Sequence, residues 1–111
     1  MTNYKFMEEP NLNYIKDMSG GDAEFEAKII GILKAEFPEE KKTYDDKVAQ
    51  NDYKQIAEIV HKLKHKISIL GLESSYKDAV EFEHNLLDGN TTGQDKFEDI
   101  LQCMTAFLET L

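Results

Sequence analysis

The chain has 111 residues, of which 22 are acidic and 13 basic, so its formal net charge is −9 at pH 7. All 13 basic residues are lysine, and the absence of arginine removes the forked side chain that commonly binds guanine edges and phosphates. The acidic balance and the missing arginine argue against a nucleic acid or an anionic membrane surface as the partner.

The apolar residues recur at spacings of three and four along the chain, and no sustained two-residue alternation indicates a sheet, which predicts an all-helical protein. The first predicted helix covers residues 11–18 and ends at two glycines. Asp22 is a suitable N-cap for a second helix. The apolar stripe of that helix consists of Phe25, Ile29, Ile32 and Leu33. Pro38 is expected to break this helix or to begin a new one.

The middle of the chain predicts two helices of different character. Residues 39–50 have little apolar content apart from Tyr44 and Val48, so we interpret them as a mostly solvated helix. Asp52 is a suitable cap for the next helix, which ends at Gly71. Its near-heptad apolar stripe consists of Ile56, Val60, Leu63, Ile67 and Leu70.

The last part of the chain completes the predicted fold. A helix is expected over residues 73–87, and the sequence DGNTTG at residues 88–93 indicates a loop. The apolar side of that helix consists of Leu72, Tyr76, Ala79, Leu86 and Leu87. The final helix carries Phe97, Ile100, Leu101, Met104, Phe107, Leu108 and Leu111. We therefore predict an all-α fold, an up-and-down antiparallel four-helix bundle with one or two additional short N-terminal helices.

The chain is expected to form a single domain over residues 1–111, with an N-terminal arm of residues 1–10 and a helical bundle over residues 11–111. Cys103 is the only cysteine, which excludes an intrachain disulfide and fits a reducing compartment. No signal-peptide pattern is present, and no apolar run approaches the ~20 residues that a membrane span requires. We expect a cytoplasmic protein.

The stretch HKLKHKISILG, residues 61–71, places two histidines and three lysines before a mostly apolar run. A helix advances about 100° per residue, so His61 lies roughly 150° from the centre of the apolar stripe and should face water. His65 and Ser68 fall on the same outward side, whereas Lys64 lies at the border between core and surface. Such a face is most often simply solvated. An exposed neutral imidazole is, however, also a good nucleophile, and adjacent lysines can offset the charge of a phosphoryl group.

The same stretch resembles the signature of histidine-containing phosphotransfer (HPt) domains, in which a surface histidine on a helical bundle precedes a leucine, a lysine and a Leu-Gly pair at fixed spacings. The matching residues are His61, Leu63, Lys64, Leu70 and Gly71. Two further segments also resemble the family, GGDAEF with Gly21, Asp22 and Phe25, and EFEHNLLDG with Phe82, Glu83 and Gly89. The resemblance extends over approximately residues 12–108.

The resemblance implies a phosphorelay intermediate of a two-component system. In that role His61 would accept a phosphoryl group from a phospho-aspartate of a receiver domain or from a hybrid histidine kinase, and pass it to another receiver aspartate. Lys64 would compensate the phosphoryl charge. The supporting residues would be Lys62, His65, Lys66, Ser68 and Gly71. We expect no cofactor and no metal on this chain, since the magnesium ion would belong to the receiver domain.

The implied protein carries a phosphohistidine but is not an ATP-dependent kinase, and the sequence contains neither a P-loop nor a kinase glycine-rich motif. Its expected partners are response-regulator receiver domains or a hybrid histidine kinase, with no binding to nucleic acid or membrane. We expect a monomer that acts as a free-standing shuttle.

One position departs from the family pattern, because His65 occupies the place where the family usually has glycine. It could obstruct docking, donate a hydrogen bond to the phosphoryl oxygens, or turn into solvent. Two other functions remain open. One is a helical module that docks receivers or other partners without being phosphorylated. The other is a metal site on His61 and His65, which the missing third ligand and the intervening lysines disfavour.

Three further residues carry side chains capable of chemistry. Glu83 is placed about 20° from the centre of the apolar side of its helix, so its carboxylate needs a partner. We predict a structural acceptor for a lysine or a backbone group of an adjacent helix rather than a catalytic residue. His84 should be solvated, and Cys103 should be a small packing residue.

Overall fold

The computed structural model describes residues 8–111 of the chain, which fold into five helices and contain no strand. The helices are α1 (Asn13–Ser19), α2 (Ala23–Ala49), α3 (Tyr53–Ile69), α4 (Glu73–Leu87) and α5 (Gln94–Leu108). α3 packs against α2 and α4, and α5 packs against both of these helices. The all-helical prediction is confirmed, and the up-and-down arrangement of the four long helices stays a prediction. Of the predicted N-terminal arm, residues 1–7 lie outside the described residues.

The core is one cluster to which every helix contributes at least one buried side chain. All five predicted residues of the α3 stripe are at most 2% exposed. Asp22 and Asp52 cap α2 and α3 as expected, with each carboxylate accepting a hydrogen bond from a backbone N–H of the first turn. α3 is therefore fixed at its start by a cap and along its length by apolar packing. Within residues 8–111, no helix has both the length and the apolarity needed to cross a bilayer.

The predicted stripe of α2 was partly wrong, since Phe25 is 41% exposed and Ile32 is 47% exposed. The residues that α2 buries are Leu33, Phe37 and Tyr44. Ile32 directly precedes Leu33, so it points about 100° away from the buried line. The prediction that Leu87 lies on the apolar side of its helix was also wrong, because Leu87 is 62% exposed and follows the buried Leu86 by one residue.

Pro38 does not break α2, which is a continuous helix of 27 residues. Proline removes one helical hydrogen bond, a cost that favourable packing on both sides can offset. Phe37 lies before the proline and Tyr44 lies after it, and both are at most 2% exposed. The expected break is therefore corrected to a continuous helix whose second half is mostly exposed, as predicted for residues 39–50.

The turn between α3 and α4 is crossed by the N-terminal segment, residues 8–12. Asn11 donates its backbone N–H to the carbonyl oxygen of Leu70 at 2.8 Å. The Glu8 carboxylate accepts the backbone N–H of Ser75 at 2.5 Å. α4 begins without a side-chain cap from its own N-cap residue, so Glu8 supplies an acceptor to its first turn. Gly71 lies beneath this segment with a φ of +77°.

Replacing Gly71 with alanine should destabilise the fold for two reasons. The residue would be held at positive φ, and its Cβ would lie 2.6 Å from Asn11 Nδ2. Gly89→Ala is the matched control, because Gly89 has a φ of +87° but open space around an added Cβ. We expect a loss of about 1 kcal/mol for Gly89→Ala and about 2–3 kcal/mol for Gly71→Ala, measured by urea unfolding. Equal losses would show that Asn11 imposes no steric constraint.

Candidate functional site

The exposed face of α3 carries the histidines predicted to face water. The His61 side chain is 55% exposed, and His65, Ser68 and Lys62 are exposed with it. Lys64 differs from the expected border position, because the whole residue is only 8% exposed. Its stem is covered by the bundle, and its ammonium group must therefore have a partner.

Glu83 of α4 binds two of these residues at once. One carboxylate oxygen accepts from Lys64 Nζ at 2.8 Å, and the other lies 3.1 Å from His61 Nδ1. The predicted role of Glu83 as an acceptor for a lysine of an adjacent helix is confirmed. The contact with His61 was not predicted. Its signal in the sequence was weak, since it consisted only of a carboxylate on an otherwise apolar helix side facing α3.

The contact with Glu83 fixes the tautomer of His61. An ionised carboxylate can only accept hydrogen bonds, so the proton of a neutral His61 ring must lie on Nδ1. Nε2 then has a free lone pair. Because the side chain is more than half exposed, this lone pair is available to a reactant that approaches the surface of α3.

The charge of Glu83 is maintained by its two partners. Partial burial acts to raise the pKa of this carboxyl, but the hydrogen bond and positive charge of Lys64, followed by the contact with His61, outweigh burial and lower the pKa below its ordinary value. The Lys64 ammonium also lies 5.8 Å from the centre of the Tyr76 ring. Lys64 is thus held between a carboxylate and an aromatic face of α4.

Lys66 does not add free positive charge near His61. Its ammonium group binds Glu36 at 3.0 Å and Glu40 at 2.9 Å, both on α2. Burial acts to lower the pKa of Lys66, but the hydrogen bonds to Glu40 and Glu36 outweigh it and raise the pKa. The supplementary charge that the sequence suggested at this position is therefore directed towards α2 and compensated there. Lys62 stays exposed.

The His65 ring packs against the His61 ring. The two ring centres are 5.1 Å apart and the ring planes are nearly perpendicular, at 89°. His65 is itself exposed, so its ring makes this contact while facing solvent. Gly71, the last residue of the motif, ends the helix ten residues after His61 and lies under Asn11.

His84 and Cys103 are placed as the sequence predicts. In the described part of the chain, no three side chains among histidine, cysteine, aspartate and glutamate are grouped so that they could hold a metal ion. His84 is exposed on α4. Cys103 is half-buried on α5, and burial, with a smaller effect of Glu9, raises the pKa of its thiol. A raised pKa disfavours the reactive thiolate, which agrees with a packing role.

In a comparison with protein families, residues 28–111 match the model described as the Hpt domain. The matched region includes His61, Lys64 and Glu83 and covers more than half of the chain. Neither curated proteins nor solved structures give a match.

Replacing Lys64 with methionine should keep the packing of the stem but leave Glu83 without its strongest partner. The pKa of Glu83 should then rise, and the free energy of unfolding at pH 7 should fall by about 2 kcal/mol. Because Lys64 holds the Glu83 pKa below its ordinary 4.5, the ion pair contributes fully above that pH and is lost as the pH falls through the folded-state pKa. The measurements are urea unfolding between pH 3 and 7, where the two proteins should converge at the acid end, and a carboxyl ¹³C titration.

The matched control is Lys62→Met, which removes an exposed lysine from the same helix. It should change neither the pKa of Glu83 nor the stability by more than about 0.5 kcal/mol. An equal loss in both variants would contradict a specific pair between Lys64 and Glu83.

Proposed function

We propose a phosphorelay role for this chain, which belongs to the Hpt domain family and therefore to the histidine phosphotransfer modules of two-component signalling. In this role His61 accepts a phosphoryl group from the phospho-aspartate of a receiver domain and passes it to the aspartate of another. The observation that carries the proposal is the state of the His61 ring, with Nδ1 bound to Glu83 on a side chain that is 55% exposed.

The first transfer needs no base on this chain. The lone pair of Nε2 forms a bond to phosphorus while the bond between phosphorus and the aspartate oxygen breaks, and the aspartate leaves as a carboxylate. Because Nε2 carries no proton in this tautomer, none has to be removed. The ring gains positive charge and keeps its proton on Nδ1, where it continues to donate to Glu83. Transfer to the second receiver is the same step in reverse.

Glu83 stabilises the charged ring, since its carboxylate lies 3.1 Å from Nδ1. Phosphoryl transfer depends mainly on alignment and charge compensation. The contact with Glu83 offsets the positive charge that the ring gains. Lys64 serves as the cation for the phosphoryl oxygens in this proposal. In the free protein its ammonium binds Glu83 at 2.8 Å, so acting on the phosphoryl group requires Lys64 to share or exchange that partner.

The docking surface in this proposal combines the exposed face of α3 with apolar side chains of α1 and α2. The exposed apolar residues there are Tyr14, Met18, Phe25 and Ile32, each between 41% and 52% exposed. The pairing of Lys66 with Glu36 places Ile32, one turn earlier on α2, near the C-terminal end of α3. The bond from Asn11 to Leu70 brings the start of α1 to the same end. A receiver domain seated there would cover apolar surface while its acidic, magnesium-binding pocket faces His61.

The first test is phosphoryl transfer from a phosphorylated receiver domain to the purified protein. We expect a gain of one acid-labile phosphoryl group, detected by intact mass, that His61→Gln abolishes. His84→Gln is the matched control, because His84 is an exposed histidine on α4 outside the motif, and it should be phosphorylated as the wild type is. Binding of receivers without any phosphorylation would instead support a docking module.

Replacing Glu83 with glutamine tests the charge on the ring. Glutamine has one acceptor oxygen where Glu83 uses two, and the Lys64 ammonium competes for it, so the variant loses the negative charge beside the ring and no longer holds the proton on Nδ1. We expect the single-turnover rate from the receiver to fall by about tenfold. Glu81→Gln on the same helix is exposed and should leave the rate unchanged. An unchanged rate in Glu83→Gln would assign this carboxylate a structural role alone.

A further inference from the structure

His65 is one of the residues of the α3 motif to which the proposed function gives no role. The family usually has glycine at this position, four residues after the reactive histidine, and this chain places a second imidazole there. Its ring centre is 5.1 Å from that of His61, within the range of edge-to-face aromatic pairs. The perpendicular arrangement at 89° is the favourable geometry for such a pair.

The Glu83 contact by itself does not fix the orientation of the His61 ring. A single hydrogen bond at Nδ1 restrains one edge of the ring, but combined rotation about the Cα–Cβ and Cβ–Cγ bonds can still tilt the ring plane while that contact is kept. The exposed fraction of 55% means that the bundle does not surround the ring. A second contact, from a different direction, is needed to hold the ring plane, and the His65 ring provides one.

The orientation of the His61 ring plane matters for phosphoryl transfer because the lone pair of Nε2 lies within this plane. In a complex with a receiver domain, the phosphorus atom arrives at a place that docking determines, and in-line transfer requires the lone pair to point there. A ring that pivots spends only part of its time in that orientation.

We propose, on the basis of the phosphorelay role above, that His65 is a positioning residue for His61. Glu83 holds the Nδ1 edge of the nucleophile and the His65 ring holds its plane, so that Nε2 is directed at the incoming phosphoryl group before the partner docks. The ring of His65, rather than its nitrogen atoms, carries this function. The residue touches neither the phosphoryl group nor the receiver aspartate in this scheme.

The test compares two variants, His65→Ala and His65→Phe. Alanine removes the ring and keeps a good helix former, and phenylalanine keeps an aromatic ring without imidazole nitrogens. We expect the single-turnover rate from a saturating phosphorylated receiver to fall about two- to tenfold in His65→Ala, as loss of one edge-to-face contact implies. His65→Phe should stay within about twofold of the wild type. A phenylalanine variant as slow as the alanine variant would overturn the proposal, and so would two unchanged rates.

A small phosphoryl donor distinguishes an effect of His65 on the alignment of His61 from an effect on the intrinsic reactivity of His61. Phosphoramidate diffuses freely and can approach Nε2 along whatever direction the lone pair points, so its reaction should not depend on a fixed ring plane. We expect wild type and His65→Ala to be phosphorylated by phosphoramidate at the same rate. A loss in His65→Ala as large as that seen with the receiver would show that His65 changes the intrinsic reactivity of His61, which would overturn a purely positional role.

A measurement on the unphosphorylated protein keeps this proposal distinct from the phosphorelay role. Side-chain coupling constants and ring relaxation of His61, measured by NMR, should show one orientation in the wild type and in His65→Phe. In His65→Ala they should show averaging between orientations, with the Nδ1–H tautomer retained. If no receiver phosphorylates His61 but this averaging appears, the phosphorelay role fails while the positional contact stands. If the ring is equally fixed in all three proteins, the positional contact fails by itself.

Discussion

The site depends on one carboxylate that binds both a lysine and a histidine of the neighbouring helix. Glu83 lies on α4, mostly covered, and its two oxygens bind different side chains of α3, one buried and one exposed. Because the buried partner keeps the carboxylate ionised, the exposed partner is held in a single tautomer. Removing the Glu83, Lys64 or His61 side chain is expected to change the protonation or the orientation of the other two. The packing of α3 against α4, which aligns these residues, is therefore a condition for the chemistry and not only for the stability of the fold.

The lysines of the motif illustrate how a cluster of like charges is accommodated in a helix that must also pack. Lys64 is bound to a carboxylate of α4 and Lys66 to two carboxylates of α2, so neighbouring helices on both sides of α3 compensate its charges. Of the three lysines, Lys62 keeps the most solvent contact. The site thus combines a locally basic sequence with nearly balanced charge. The acidic excess of the whole chain stays on the remaining surface.

Much of the fold could be read from the sequence, because α3 and α5 carry strong apolar periodicity and the caps at Asp22 and Asp52 are local signals. The errors at Ile32 and Leu87 have a common cause. An apolar residue next to a buried one is indistinguishable from it by hydrophobicity, and only the neighbouring helices determine which of the two is covered. Pro38 was misjudged because its local cost is visible in the sequence and the packing that offsets it is not. Within the site, the exposure of His61 followed from periodicity, whereas its contact with Glu83 joins residues 22 positions apart and needed the packing of two helices.

The N-terminal segment that crosses the turn after α3 also bears on the order in which the protein assembles. Neighbouring helices along the chain can pair through short connections, but the bond between Glu8 and Ser75 closes a separation of 67 residues. Closing a loop of that size costs more entropy than forming a helical hairpin, so this contact is expected to form after α3 and α4 have met. By the same reasoning, it can open while the helices stay packed. The end of the helix that carries His61 is thus secured by the part of the described chain that joins last.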